Sequence, residues 1–406
     1  MPQNRNENLL LESSRECSPA STIPSEHSFS RSSSLQSHTQ SSPPRLFRNL
    51  LKTGYVYDVF MSYHANLNAY EFHPEDPRRI FYIYREMKNQ GLLDISVRIP
   101  VKKATKELIL TTHTKGLYKL IRSTKTMDRK ELIEMEENND SIYVNSHSFE
   151  SSLYAAGGLV ELCKAVLNDE VKNGFAIIRP PGHHAEYDTA MGFCFFNNVA
   201  IATKYCIDQL NAKRIMIVDW DIHFGNGTQK IFEDKKNVLY VSLHRYEEAT
   251  FYPGDKSGAI DSVGKGHGRG RTVNIPWTKY GMKDSDYIYA FHQVILPIGY
   301  EFSPDLVIVS AGFDSAKDDH IGQCNVTPTG YSIMTHLLMG LARGRVVMAL
   351  EGGYNLKATS ISATACMNVL VGEAPLATIK EPPSLEGMMV VKDVKRVQRQ
   401  FWKCLK

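Results

Sequence analysis

Residues 215–223 read Ile215-Met-Ile-Val218-Asp219-Trp-Asp221-Ile-His223, four apolar positions that run straight into a turn rich in carboxylate and imidazole. A strand that is apolar at every position has no face for water, so it belongs inside a parallel sheet covered on both sides. Three other runs have the same form: Ala176-Ile-Ile-Arg179, Leu306-Val-Ile-Val-Ser310 and Val346-Val-Met-Ala-Leu350. Each gives way at once to reactive residues, namely Pro-Pro-Gly-His183-His184, Ala-Gly-Phe-Asp314 and Glu351-Gly-Gly-Tyr354. In open α/β sheets the ligand crevice lies beyond the carboxyl ends of the strands, so the four loops predict one site. Helical periods alternate with the strands. One opens at Asp76-Pro77, carries Ile80, Ile83, Tyr84 and Met87, and stops near Gly91; others fill Asp284 to Phe302 and Thr327-Pro328 to about Gly344. The pattern is that of an α/β protein whose parallel sheet is flanked by helices.

Length and composition bound the rest. A chain of 406 residues that is 42% hydrophobic can bury a sizeable core. A formal charge of +3 spread over that surface is poorly suited to gripping a phosphate backbone, so direct nucleic-acid binding is not expected. The apolar runs are far shorter than the roughly 18 residues of a membrane span, and the first residues lack the apolar core of a signal peptide. Seven cysteines, odd in number and without a C-x-x-C pair, suit a reducing compartment, cytosol or nucleus. Residues 11–42 hold thirteen serines and few aliphatics, so 1–52 is expected to be a disordered tail. The folded domain is expected over 53–375, followed by a Pro-rich and then basic extension over 376–406.

The turn residues suggest a metal. Asp219, Asp221 and His223 are spaced by two, so an extended backbone would turn all three to one side, and Asp314 joins them from another strand end. Carboxylates packed that closely repel unless one takes a proton or a cation sits between them. A pair of acids satisfied by backbone amides and an arginine is the bland alternative for any single Asp-x-Asp. With the histidine and the second strand end, Asp221, His223 and Asp314 form a two-carboxylate, one-imidazole set that leaves a coordination position open, with zinc the first candidate and iron, manganese or cobalt also compatible. Asp219 is then free to orient a histidine or to help bind a monovalent cation. His183 and His184 are candidates for proton transfer, and Tyr354 for donating to an oxygen that gains charge. Gly192-Phe193 and Phe251-Tyr252-Pro253 bring aromatics suited to a narrow slot.

These residues resemble the zinc-dependent histone deacetylases, class II among them, from about Tyr55 to Glu373. The resemblance rests on His73-Pro-Glu, Arg179-Pro-Pro-Gly-His-His-Ala-Glu, Gly192-Phe-Cys-Phe-Phe-Asn-Asn, Asp219-Trp-Asp-Ile-His, Gly225-Asn-Gly-Thr-Gln, Val241-Ser-Leu-His-Arg-Tyr, Ser310-Ala-Gly-Phe-Asp and Leu350-Glu-Gly-Gly-Tyr-Asn. It implies a single arginase-like domain with an eight-stranded parallel sheet, one catalytic zinc on Asp221, His223 and Asp314, and hydrolysis of N6-acetyl-lysine in proteins. In that scheme water activated at the metal attacks the amide, Tyr354 steadies the oxyanion, and His184 is the general base that later protonates the amine. His183 is its electrostatic partner, held by Asp219. Phe193 and Tyr252 line the tunnel around the lysine stem, Gly192 offers a backbone carbonyl, and Ser141 matches a rim serine that accepts from the acetyl-lysine amide. Structural K+ near Asp219, Asp221, Ser242 and the backbone of His223 and Leu243 is a further implication.

Three positions depart from common relatives: Tyr252 in place of phenylalanine, Phe224 in place of a second histidine, and Asn226 in place of the class I aspartate, which alters the partner of His184. Polyamine-selective relatives carry a glutamate in the loop after the Asp314 motif; Ile321 stands here and favours acetylated protein. Tyrosine at 354, where weakly active relatives have histidine, implies turnover. The resemblance thus implies acetylated histone tails or other acetylated proteins as substrate, a role in transcriptional repression within a corepressor complex, and action in the nucleus with the cytoplasm as alternative. The competing readings are an acetylpolyamine amidohydrolase and an acetyl-lysine binding scaffold with low turnover.

Overall fold

The apolar runs form strands, and their register brings the reactive ends level. Residues 50–68 and 72–406 are described by the computed structural model, so all but the last few residues of the expected tail over 1–52 lie outside the described residues. Eight parallel strands make one sheet: β1 Gly54–Tyr57, β2 Val97–Arg98, β3 Gly174–Ile177, β4 Ile215–Asp219, β5 Val238–Arg245, β6 Thr272–Trp277, β7 Leu306–Ala311 and β8 Val346–Leu350. Their order is β2-β1-β3-β8-β7-β4-β5-β6. Asp219 of β4 pairs with Ser310 of β7 and Ser242 of β5, and Ser310 pairs with Ala349 of β8. The loops after β4, β7 and β8 therefore leave the sheet side by side. β3 ends at Ile177, two residues earlier than its apolar run suggests, so Ile178 and Arg179 already belong to the loop.

The helices around the sheet include α1 Arg78–Asn89, α2 Ser148–Leu167, α3 Asn198–Leu210, α4 Asn226–Phe232, α5 Asp284–Ala290, α6 Leu296–Phe302, α7 Pro328–Leu338, α8 Leu356–Val371 and α9 Leu385–Gln398. α2 and α3 pack on each other, while α1, α7 and α8 form a second packed group, and both groups reach β3. The central strands are buried along their whole length, as an apolar parallel strand must be. α1 starts where Asp76 Oδ1 accepts the Arg78 N–H at 2.7 Å, and it buries Ile80, Ile83 and Met87.

Two helices differ from expectation for local reasons. The run from Asp284 to Phe302 is continuous but widens into a π-helical segment over Phe291–Ile295, just before Pro297. Proline has no N–H for the carbonyl four residues back and crowds it, which the wider turn relieves. The helix opening at Thr327-Pro328 ends at Leu338 and does not run to Gly344: Leu341 is extended, and Ala342, Arg343 and Gly344 adopt left-handed conformations with φ of 48°, 56° and 77°. The basic C-terminal stretch contributes α9, which buries Val390, Val391 and Val394 and contacts β6. Gln398 donates to Thr272 and Trp402 to Gly270, both at 3.0 Å. Among the described residues no helix is long and apolar enough to cross a membrane.

Candidate active site

The chain beyond β4 is not extended, as equal spacing suggested, but folds through two successive Asx turns. Asp219 Oδ1 accepts the Asp221 N–H at 3.2 Å, and Asp221 Oδ1 accepts the His223 N–H at 2.9 Å. This sends Asp219 toward His183 while Asp221 and His223 meet Asp314. One ligand atom from each of Asp221, His223 and Asp314 lies within 4.8 Å of the others, and all three side chains are buried. His223 Nδ1 is 3.0 Å from Asp221 and 3.1 Å from Asp314. The outer oxygens are aimed by backbone amides, Gly352 N–H to Asp221 at 2.7 Å and Ile222 N–H to Asp314 at 2.8 Å. A Cβ on Gly352 would stand 2.2 Å from Asp314 Oδ2, and one on Gly312 would stand 2.1 Å from Asp221 Oδ2. The glycines thus leave room for the carboxylates to converge, and the set fits a zinc ion with hard and borderline ligands and an open position.

The charges around this set shift one another. Burial opposes the His223 imidazolium, but Asp221 and Asp314 outweigh it and hold its pKa up at about 9. Burial and the neighbouring Asp221 charge push the Asp314 carboxyl up, whereas for Asp221 the His183 and His223 charges overcome burial and lower it. His183 Nδ1 lies 3.1 Å from Asp219 Oδ2, which also accepts the Tyr240 hydroxyl at 2.9 Å. Burial opposes the charge on His183 too, yet Asp219 and Asp221 raise its pKa to about 10. His184 lies beside it, ring centroids 4.1 Å apart, and its pKa is lowered well below the ordinary value by burial, His183 and His223. Its Nδ1 is 2.8 Å from Asn226 Oδ1, at the start of α4. The Asn226 amide nitrogen donates to Glu186 at 2.6 Å, which fixes the amide so that its oxygen faces His184. His184 Nδ1 therefore carries the proton and Nε2 the lone pair.

A cavity of about 200 Å³ opens over the triad, lined by Ser141, His184, Gly192, Phe193, His223, Tyr252, Ile321 and Tyr354. Every tunnel and rim residue expected from the sequence is among them. His183, Asp219, Asp221 and Asp314 lie behind this lining, buried. Phe251 does not share the slot with Tyr252: it stacks on His223, centroids 5.1 Å apart, and Arg245 covers its ring at 4.3 Å. Gly192 is left-handed at φ 56°, and a Cβ there would meet His184 Cδ2 at 2.6 Å and Tyr252 Cε1 at 3.0 Å. The Tyr252 hydroxyl donates to Asp140 at 3.2 Å, and the Gly192 and Phe193 N–H groups donate to the carbonyls of Asp140 and Ser141. Burial and the nearby Asp314 and Asp221 charges keep the Tyr354 phenol well above its ordinary pKa, so it holds its proton.

Several site residues escaped sequence reasoning. Glu351, in the motif but without a role, accepts the Gly182 N–H at 2.6 Å and the His183 N–H at 3.2 Å; burial, opposed by His183, pushes its pKa up to about 7. Glu75 sits fully buried between Arg79 and Arg179, 2.9 Å and 2.5 Å away, and these arginines overcome burial to hold its carboxyl well below the usual range. Arg79 also donates to Gly353 O at 2.6 Å and to Glu351 O. His73-Pro-Glu and Arg179-Pro-Pro were visible as motifs, but their pairing across 104 residues was not.

A buried two-carboxylate, one-imidazole set at the carboxyl edge of a parallel sheet, under an aromatic-walled cavity, defines a metal-site α/β protein. The profile of the histone deacetylase domain matches residues 73–370, and the chain belongs to that family, which is zinc-dependent. It is 50% identical to histone deacetylase HDA1 of Candida albicans over 89% of this chain and 46% of that protein. It is 46% identical to histone deacetylase clr3 of Schizosaccharomyces pombe over 88% of this chain and 53% of that one. The crystal structure of the HDA15 HD domain superposes with a TM-score of 0.80 at 42% identity, covering 87% of this chain and 98% of that one, an arginase-like deacetylase fold. The chain spans about half the length of the curated relatives it matches.

Proposed function

We propose that this chain hydrolyses N6-acetyl-lysine in proteins, histone tails first, with zinc on Asp221, His223 and Asp314. The observation that carries the reading is the placing of His184 and Tyr354 on one cavity directly above that triad. Bound there, zinc supplies Lewis-acid chemistry, polarising a carbonyl and acidifying water. Phe193 and Tyr252 bind the apolar lysine stem, Ser141 takes the amide N–H at the rim, and the Gly192 carbonyl faces the substrate. His184, neutral because its pKa is depressed, accepts the proton of the attacking water at Nε2 and delivers it to the leaving amine. His183, kept cationic by Asp219, lends a fixed positive charge beside it. The Tyr354 hydroxyl donates to the oxygen that gains charge, a kind of contact typically worth about 10² to 10³ in kcat.

Ile321 on the cavity wall offers no charge to a distant ammonium, which supports acetylated protein over acetylpolyamine. We extend the reading to structural K+ at Asp219 and Ser242, neighbours in register on β4 and β5. We further propose a role in transcriptional repression within a corepressor complex, in the nucleus with the cytoplasm as alternative. The boundaries proposed are a tail over 1–52, a catalytic domain over 53–375 and an extension over 376–406. The test is release of acetate from an acetylated histone H4 peptide and from acetylspermidine, with and without a chelator. Chelator-sensitive turnover of the peptide is expected; turnover that survives complete metal removal, or acetylspermidine as the better substrate, would refute the reading.

A further inference from the structure

Asp319 is a buried acid, 3% exposed, that the reaction above does not use. Its carboxylate accepts four backbone N–H groups. Oδ1 takes those of Ile321 at 2.9 Å and Gly322 at 3.2 Å, and Oδ2 takes those of Tyr354 at 2.7 Å and Asn355 at 3.2 Å. The first pair belongs to the loop after β7 and the second to the loop after β8, so one side chain binds both. Asn355 returns the contact, donating from its amide to the Asp318 carbonyl at 3.0 Å.

The second loop needs such a brace. Tyr354 follows Gly352-Gly353, and Gly353 adopts φ 115°, where a Cβ would also meet Thr359 Oγ1 at 2.7 Å. Two adjacent glycines leave the backbone few steric limits, so hydrogen bonds must set where the tyrosine stands. Arg79 holds the carbonyls of Glu351 and Gly353 on the Tyr354 ring's side, and Asp319 holds the N–H groups that follow. Bonds from amides to a carboxylate are charge-assisted and stronger than neutral ones. Ile321 and Tyr354 both line the cavity, and Asp319 joins their backbones.

We propose that Asp319 is a positioning residue: by tying the two loops together it fixes the Tyr354 hydroxyl over the metal site at a set distance from the Ile321 wall. The inference rests on Tyr354 as oxyanion donor, and the experiment separates the two. Wild type, Asp319→Asn, Tyr354→Phe and the double variant are compared on an acetyl-lysine peptide, with zinc content measured for each. Asparagine keeps the shape but turns an NH2 toward one pair of N–H groups. In the wild-type background kcat should fall about tenfold or more, the scale of losing charge-assisted bonds. KM should move less than about threefold, with zinc content unchanged. In the Tyr354→Phe background the same substitution should change kcat less than about twofold, because the group it positions is gone.

Equal losses in both backgrounds, or an unchanged kcat in the first, would overturn the proposal. A Tyr354→Phe variant with full turnover would instead remove the oxyanion role, whatever Asp319 does. Should Asp319→Asn not fold, hydrogen exchange on the wild-type protein still decides: the Tyr354 and Asn355 amides should be protected, and free exchange there refutes the brace.

Discussion

Without a metal, His223 stands as the cation between Asp221 and Asp314, and this makes the stability of the metal-free protein depend on pH. Its pKa rises from the ordinary 6.5 to about 9 because Asp221 and Asp314 outweigh its burial. A group whose pKa is raised on folding contributes stability that is complete below the unfolded value and is lost as pH climbs through the folded one. Each tenfold step is 1.36 kcal/mol, so the interval from 6.5 to about 9 amounts to about 3 kcal/mol. His183 adds a loss of the same sign up to about 10, so the reference is the metal-free His223→Asn protein, which retains His183. Urea unfolding of both metal-free proteins at pH 6.5 and at pH 9 should show the wild type losing more, by up to about 3 kcal/mol, the margin narrowing to the extent that Asp314, without the His223 charge beside it, keeps a proton of its own in the variant. The same proton must leave when zinc arrives, since only the neutral imidazole binds metal. Calorimetric loading at pH 7.5 in two buffers of different ionisation enthalpy should count about one proton released per site. Equal losses in the two proteins, together with loading that releases no proton, would show that His223 does not hold this place.

Other perturbations probe the neighbouring contacts. Asn226→Asp sets a carboxylate against His184 Nδ1, now 2.8 Å from a neutral amide oxygen; it should raise the histidine's pKa and move the acidic limb of the kcat/KM profile to higher pH. An unmoved limb would mean that His184 is not the base. Gly192→Ala forces a left-handed alanine, about 1–2 kcal/mol, and drives its Cβ into His184 and Tyr252; turnover should drop while circular dichroism stays unchanged. Glu75→Gln leaves two buried guanidinium groups short of their shared carboxylate and should cost about 3–5 kcal/mol in urea unfolding.

Sequence and structure agree where information is local. Ile215–Val218 and Val346–Leu350 are strands because nothing in them tolerates water, and the reactive residues after them needed only level strand ends to meet. β2, two exposed residues long, carries no such pattern and, among the described residues, pairs with β1 alone. For the turn over 219–223 the spacing suggested an extended backbone that the structure does not have, since Asx turns depend on side chains bonding their own chain rather than on spacing. Asp319, Asp140 and the Glu75–Arg179 pair were illegible for another reason. Each acts on chain that is distant in sequence, and a lone acid in a loop does not reveal which amides will face it.

Burial of charge explains why these residues come as a group. Asp219, Asp221, Asp314 and Glu351 are at most 1% exposed, and isolated ionised carboxylates in such surroundings are prohibitively costly. The chain meets that cost with backbone amides, with the His183 cation, and with protons, as the raised pKa values of Asp314, Glu351 and His223 record. A dication at the triad would replace the His223 proton with a larger charge and let Asp314 ionise, with His183 still the cation beside Asp219. Metal loading and the proton inventory of the site are therefore one equilibrium. The acids that make the metal-free cluster hold protons include those proposed to bind the ion, so acidity would oppose loading just as metal scarcity would.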